Sequence, residues 1–167
     1  MNLTQDINQY DERKIYFCDP IKNNIMNDGT FTRIIYSNEK VAFNCISMFI
    51  QLNDIALEKY YNKYKCHFDT STSYHKQLIN KIQKIEDSIL SQISIKHKVR
   101  QYKLHEQLVD GNIRFFLETD LNEKCIMNGM FILKISGVWE NENHYGLTYK
   151  FVKIKSTIKV ALAVGIK

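Results

Sequence analysis

Apolar residues recur at every second position along most of the chain and change to every third or fourth in only one stretch. That stretch runs through Leu78, Ile82, Ile85, Ile89 and Ile93, follows the cap-rich DTSTS at 69–73, and puts Lys76, Lys81, Lys84, Glu86 and Asp87 on the other side. It predicts one amphipathic helix, which has to close an apolar opening because it cannot bury its own stripe. Period-2 stretches predict strands at KIYFCD (14–19), TFTRIIY (30–36), VAFNCISMFIQL (41–52), YYNKYKCHF (60–68), VRQYKL (99–104), NIRFFLE (112–118), MFILKISGVW (130–139) and YGLTYKFVKIK (145–155). In the third, Ala42, Ile46, Met48, Ile50 and Leu52 are expected to line a core, with Phe43, Phe49 and Gln51 turned away. In the fourth, Tyr60, Tyr64, Cys66 and Phe68 separate from a basic and aromatic set, Tyr61, Lys63, Lys65 and His67.

Turn residues punctuate these stretches at Asn23–Gly29, Ser37–Glu39, Asp110-Gly111, Asn128-Gly129 and ENENH (140–144). Residues 1–12 are polar without a sustained period and read as a loose N-terminal arm, leaving 13–167 as one domain with no repeat or linker. The order of strands, one helix, then strands again describes a mainly β chain with one central amphipathic helix, α+β by content. A partly closed antiparallel barrel of the OB type is the economical way to bury long strands with a single helix.

Composition narrows the function. The chain has 167 residues, 44% of them hydrophobic, which is enough for a packed core, and one proline among six glycines excludes a linker or collagen-like chain. No apolar run is long enough to span a bilayer; Val160–Ile166 is short and flanked by lysines, so no membrane partner is expected. The N-terminus has no secretory h-region, and Cys18, Cys45, Cys66 and Cys125 lack a metal or disulfide spacing, so they read as free thiols of an intracellular protein. Nucleotide cradles, zincin, hydrolase-elbow and EF-hand motifs are absent, and the five histidines are scattered. No enzyme activity, cofactor or metal is expected.

Twenty-three Lys and Arg against 18 Asp and Glu give a formal charge of +5, and ten tyrosines often stand beside a cation. Cations that follow phosphates next to rings that stack on bases are what a single-stranded nucleic acid requires. The candidate binding residues are Tyr61, Lys63, Lys65 and His67, with Arg33, Arg100, Arg114, Lys134 and Lys150 on strands that can neighbour them. The dense run KHKVRQYK (96–103) adds Lys98, either as a loop that clamps a backbone or as cations favouring a helix C-terminus. Among rings whose parity permits exposure, Phe43, Phe49, Phe116 and Tyr145 stand out, whereas Trp139 shares the parity of Phe131, Leu133 and Ile135 and is expected inward. Tyrosine and lysine on a strand face also serve simply to keep an edge soluble.

The segment FILKISGVWENENHYGLTYKFV (131–152) resembles the closing hairpin of OB-fold single-stranded DNA-binding proteins of large double-stranded DNA viruses and, more distantly, of podovirus-type phages. GTFTRIIYSNEKVAFNCISMFIQL, YYNKYKCHF and YKLHEQLVDGNIRFF are similar to the same group. Gly137, Trp139, Gly146, Thr148 and Lys150 are the positions that match the hairpin pattern. The resemblance implies non-catalytic binding of single-stranded DNA in viral DNA replication, recombination or repair, in the host cell cytoplasm (a viral factory) or nucleus. RNA is open to the same stacking chemistry, and a homo-oligomer or replication proteins are the expected protein partners. The phage proteins end in an acidic recruiting tail, whereas this chain ends KIKSTIKVALAVGIK, a tail suited to strand pairing between subunits. The rival expectation is a structural or interaction module that pairs its edge strands with another viral protein.

Overall fold

Residues 4–25, 28–38, 40–61, 63–116 and 129–153 are described by the computed structural model. The element order is β1 (Gln5–Asp6), β2 (Ile15–Phe17), β3 (Ile21–Lys22), β4 (Thr30–Ser37), β5 (Ala42–Phe43), β6 (Ile46–Gln51), β7 (Ala56–Tyr60), β8 (Lys63–His67), α1 (Ser73–Gln92), β9 (Val99–Gln101), α2 (Lys103–Val109), β10 (Asn112–Phe116), β11 (Met130–Glu140) and β12 (His144–Lys153). The protein is mainly β. Its strands follow the order β1-β6-β11-β12-β10-β8-β7, an open path with β4 joined to β11. The sheet is mixed rather than antiparallel, because β1 runs parallel to β6, and both β9 and β10 run parallel to β12.

β11 is the strand on which the others are organised. Met130–Ile135 pair with β6 and Gly137–Glu140 with β4, while β12 runs along the whole length. The hand-over coincides with a register irregularity between Ile135 and Gly137, where the strand turns from one neighbour to the other. Gly137 is required there by close approach: a Cβ would lie 2.6 Å from the Phe31 ring and closer still to the Thr32 carbonyl oxygen. Gly137→Ala is therefore expected to cost about 2 kcal/mol by prising β4 from β11. A urea midpoint equal to wild type would show that β4 is free to yield.

The irregularity also reverses the parity expected for Trp139. Val138, not Trp139, is buried with Leu147 on the inner side, and Trp139 is half-buried on the outer side beside Phe31 and Gly146. Inside, Phe115, Phe131, Leu133, Ile135, Phe151 and the β6 residues Ile46, Met48, Ile50 and Leu52 form the core. Tyr64 stacks on Phe115 at 5.6 Å, and Phe115 meets Phe131 edge-on at 5.1 Å.

Several local expectations change. Residues 5–12 are not a loose arm: β1 pairs with β6, Ile7 is buried, and Asp6 and Gln9 form a reciprocal cap on a short 3-10 turn. The stretch 41–52 is broken at Asn44–Cys45, and residues 56–67 make a hairpin of β7 and β8 whose tip carries Tyr61 at φ 52°. Among the described residues there are two α-helices, not one, because the chain turns into α2 directly after β9.

The predicted helix spans Ser73–Gln92 and is capped by the Thr72 hydroxyl oxygen, which accepts from the His75 N–H at 3.2 Å. His75 and Glu86 both belong to its buried side. His75 Nδ1 donates to the Asp69 carbonyl at 2.6 Å and Nε2 accepts from the Asn53 N–H at 3.1 Å, so a neutral ring pins two loops to α1. Glu86, expected among the solvated residues, is instead fully buried and accepts from the Leu104 and His105 N–H groups at the start of α2. It supplies the cap that Tyr102 does not.

Candidate nucleic-acid interface

Register brings four cations from four adjacent strands into one row. Lys134 of β11 stands opposite Lys150 of β12, and Arg114 of β10 stands opposite Lys65 of β8. The parallel pairing of Phe115 with Phe151 sets Arg114 beside Lys150. Their sequence neighbours Leu133, Phe151 and Phe115 are buried, so the four cations share the outer face. Strands about 4.8 Å apart put the row within about 14 Å.

Like charges set directly across a ladder destabilise a sheet. None of the four is held by a hydrogen bond or ion pair among the described residues. The row ends at Glu58 of β7, opposite Lys65; its carboxylate holds His67 Nε2 at 3.0 Å, which keeps the Glu58 carboxyl below its ordinary range. Apart from the Glu58–Lys65 pair, folding gains nothing from this concentration of charge. An anion laid along it would.

The row lies in two adjoining clefts. One, of about 520 Å³, has Lys65, Arg114 and Lys150 on the sheet and Lys103, Glu106, Gln107 and Asp110 of the α2 segment as its rim. Lys103 is paired with Glu106 at 2.7 Å. The second, of about 300 Å³, is lined by Lys134, Ser136, Thr148, Asn44 and Cys45 and shares Tyr149 and Lys150 with the first. Tyr149, whose hydroxyl lies 2.8 Å from Gln107 Oε1, is the ring at this junction, and burial pushes its phenol up to about 12.

Aromatic side chains flank the row. Tyr60 and Tyr61 meet edge-on at 4.8 Å at the β7–β8 tip, and Tyr61 is 81% exposed. At the other side, Arg33 of β4 lies across from Gly137 with its guanidinium 5.9 Å from the Phe31 ring, next to Trp139. Lys63 and His67 occupy the outer side of β8 with Lys65. Thus Arg33, Lys63, Lys65, His67, Arg114, Lys134 and Lys150 belong to one sheet surface, with Tyr61 at the tip of the hairpin that borders it.

Lys98, Arg100 and Tyr145 do not. Lys98 donates to Glu140 Oε1 at 2.6 Å at the turn end of the β11–β12 hairpin. Arg100 donates to the Tyr145 hydroxyl at 2.9 Å and also reaches Asp87 and Ser91 of α1; hydrogen bonding to Tyr102 and Tyr145 raises its already high pKa. Tyr145, expected outward, is buried because β9 covers it. These three fasten β9 and α1 to the hairpin. Phe49 is half-buried on the side expected for it, but Phe43 stands opposite the buried Tyr36 and takes the inner side expected for Ala42, which is exposed, because the break at Asn44–Cys45 resets the alternation. The Phe116 side chain, Cys125 and the 154–167 tail lie outside the described residues.

Sequence reasoning missed two contributors. Tyr60 was assigned inward because the tight turn at Tyr61, which resets parity, has no glycine to announce it. Phe31 lies on the outer face through the same reversal that exposes Trp139. Cys18, Cys45 and Cys66 are free thiols, and burial pushes Cys66 up to about 12, leaving it unreactive. Among the described residues no group of three or more His, Cys, Asp or Glu side chains is placed to hold a metal ion, and no helix is long and apolar enough to cross a membrane. No family model, curated protein or solved structure matches the chain.

Proposed function

We propose that the protein binds single-stranded nucleic acid with little sequence preference and acts without catalysis. The observation that carries this reading is the row Lys65–Arg114–Lys150–Lys134, a run of like charges relieved at its Lys65 end by Glu58, unfavourable to the sheet and suited to successive phosphates. Exposed rings at its flanks favour unpaired bases, because paired bases in a duplex have no free faces to stack. The hairpin resemblance supports single-stranded DNA as the ligand and viral replication, recombination or repair inside a host cell as the setting. An OB-like relation is supported by the strand, helix, strand order and by β11 serving two neighbours; the parallel β10–β12 pair departs from it.

Fluorescence anisotropy with matched single-stranded DNA, RNA and duplex at two salt concentrations tests the proposal. Log affinity is expected to fall with log salt by about 0.7 per phosphate contact, with duplex a poor competitor. Binding that ignores salt, or equal competition by duplex, would overturn it. Tyr61→Ala is expected to weaken binding about fivefold, the low end of what one stacked base contributes, with an unchanged melting temperature because the ring is exposed. An unaltered affinity would remove this ring from the interface.

One observation favours a second reading, an interaction module. Among the described residues β7 ends the strand path, pairs only with β8 and exposes Tyr60, leaving an edge there for another chain. A stable protein complex in gel filtration that is indifferent to added oligonucleotide would favour it.

A further inference from the structure

The clefts that hold the cationic row continue across the molecule. Cys45 bounds the Lys134–Lys150 cleft and also lines a cleft of about 410 Å³ with Phe43, Ser47 and Lys14. Lys14 in turn lines an open cleft of about 710 Å³ with Arg13, Tyr16 and Lys40. The joints are the break at Asn44–Cys45 between β5 and β6 and the short 3-10 turn Glu12–Lys14 ahead of β2. Each cleft therefore shares a lining residue with the next, in a series that leads from the rim of α2 to the start of β2.

Eight cationic and three acidic side chains line this path. That excess equals the formal +5 of the whole chain, so the charges outside the path sum to zero. At its far end the Lys14 and Lys40 side chains have no hydrogen bond or ion pair among the described residues, whereas Arg13 is held by Asp11 at 2.9 Å. Tyr16 offers an exposed ring beside them. The far end thus repeats the composition of the row, free lysines next to an accessible tyrosine.

We propose that Lys14, Lys40 and Tyr16 form a second anchoring segment for the same ligand, so that a long single strand runs from the row over Cys45 to the start of β2. This rests on the single-stranded nucleic-acid reading and adds to it the course of the ligand and a dependence on its length. A short oligonucleotide is satisfied by the row alone. A long one engages both segments.

The test compares oligo-dT of about 4 and about 16 nucleotides, the span of site sizes for sheet-based binders of this kind, on wild type and on Lys14→Glu/Lys40→Glu. The variant is expected to lose about tenfold for the long oligonucleotide, with a salt slope smaller by about 1.4, and less than about twofold for the short one. Equal losses for both, or none for either, would overturn the second segment and leave the row standing. A wild type indifferent to both oligonucleotides would overturn the row, and the second segment with it. Cys45 offers a readout that needs no variant: its alkylation by iodoacetamide, followed by peptide mass, is expected to slow in saturating long oligo-dT, and an unchanged rate would overturn the path.

Discussion

Reversing both charges in Lys134→Glu/Lys150→Glu is expected to weaken single-stranded DNA binding about a hundredfold at low salt, since each reversal removes one phosphate contact and adds a repulsion worth about one factor of ten. The salt slope should fall by about 1.4 as two contacts disappear. The single variant Lys134→Glu separates an interface role from a structural one. Lys134 stands directly across from Lys150, so one reversal turns a repulsive cross-strand pair into an attractive one. Stability should then rise by up to about 1 kcal/mol while affinity falls. A residue that mattered only to the fold would move both measurements in the same direction. Urea unfolding and anisotropy on the same preparation decide this, and an unchanged affinity in the double variant would overturn the assignment of the row.

That row was legible in pieces. Alternation in KYKCH and NIRFF identified which side of each strand is apolar, so Lys65 and Arg114 could be placed outward from the sequence. Their alignment with Lys150 and Lys134 depends on strand register across four strands, and parity within a strand carries no information about which residues come to lie opposite. The failures have local causes. Arg100 and Lys98 look like free cations in KHKVRQYK, but parallel pairing of β9 with β12 sets them against Tyr145 and Glu140. Trp139 was misplaced by one irregular residue in β11, because a single bulge inverts every side chain beyond it. Helix α2 was hidden because Val99–Leu104 continues a strand-like texture, and the group that starts the helix is a carboxylate remote in sequence, Glu86.

Glu86 carries the second large expectation, a stability that falls as pH rises. The side chain is fully buried in the native state, and burial is the main reason its carboxyl is pushed up to about 7; the N–H groups of His105 and Leu104 oppose the shift, and the nearby Glu106 adds to it. In the unfolded chain the same group titrates near its ordinary 4.5. Between those two values the native state holds a proton that the unfolded state has released, so unfolding is favoured progressively as pH increases. The contribution is fully present below about 4.5 and lost by the time pH passes about 7, a difference of up to about 3 kcal/mol. Glu86→Gln stays neutral throughout and keeps one acceptor for the start of α2. Plotted against pH, wild-type stability relative to this variant should therefore decline through that window and level off above it. Other titrating groups are common to both proteins and cancel. The cleft rim formed by Lys103 and Gln107 stands on the helix that Glu86 caps, so α2 should be the first element to lose amide-exchange protection as the carboxylate ionises. Parallel stability profiles for the two proteins between pH 4.5 and 8 would show that Glu86 keeps its ordinary pKa and is already ionised in place, whereas a decline that never levels off up to pH 8 would show that the cap stays a neutral acid throughout.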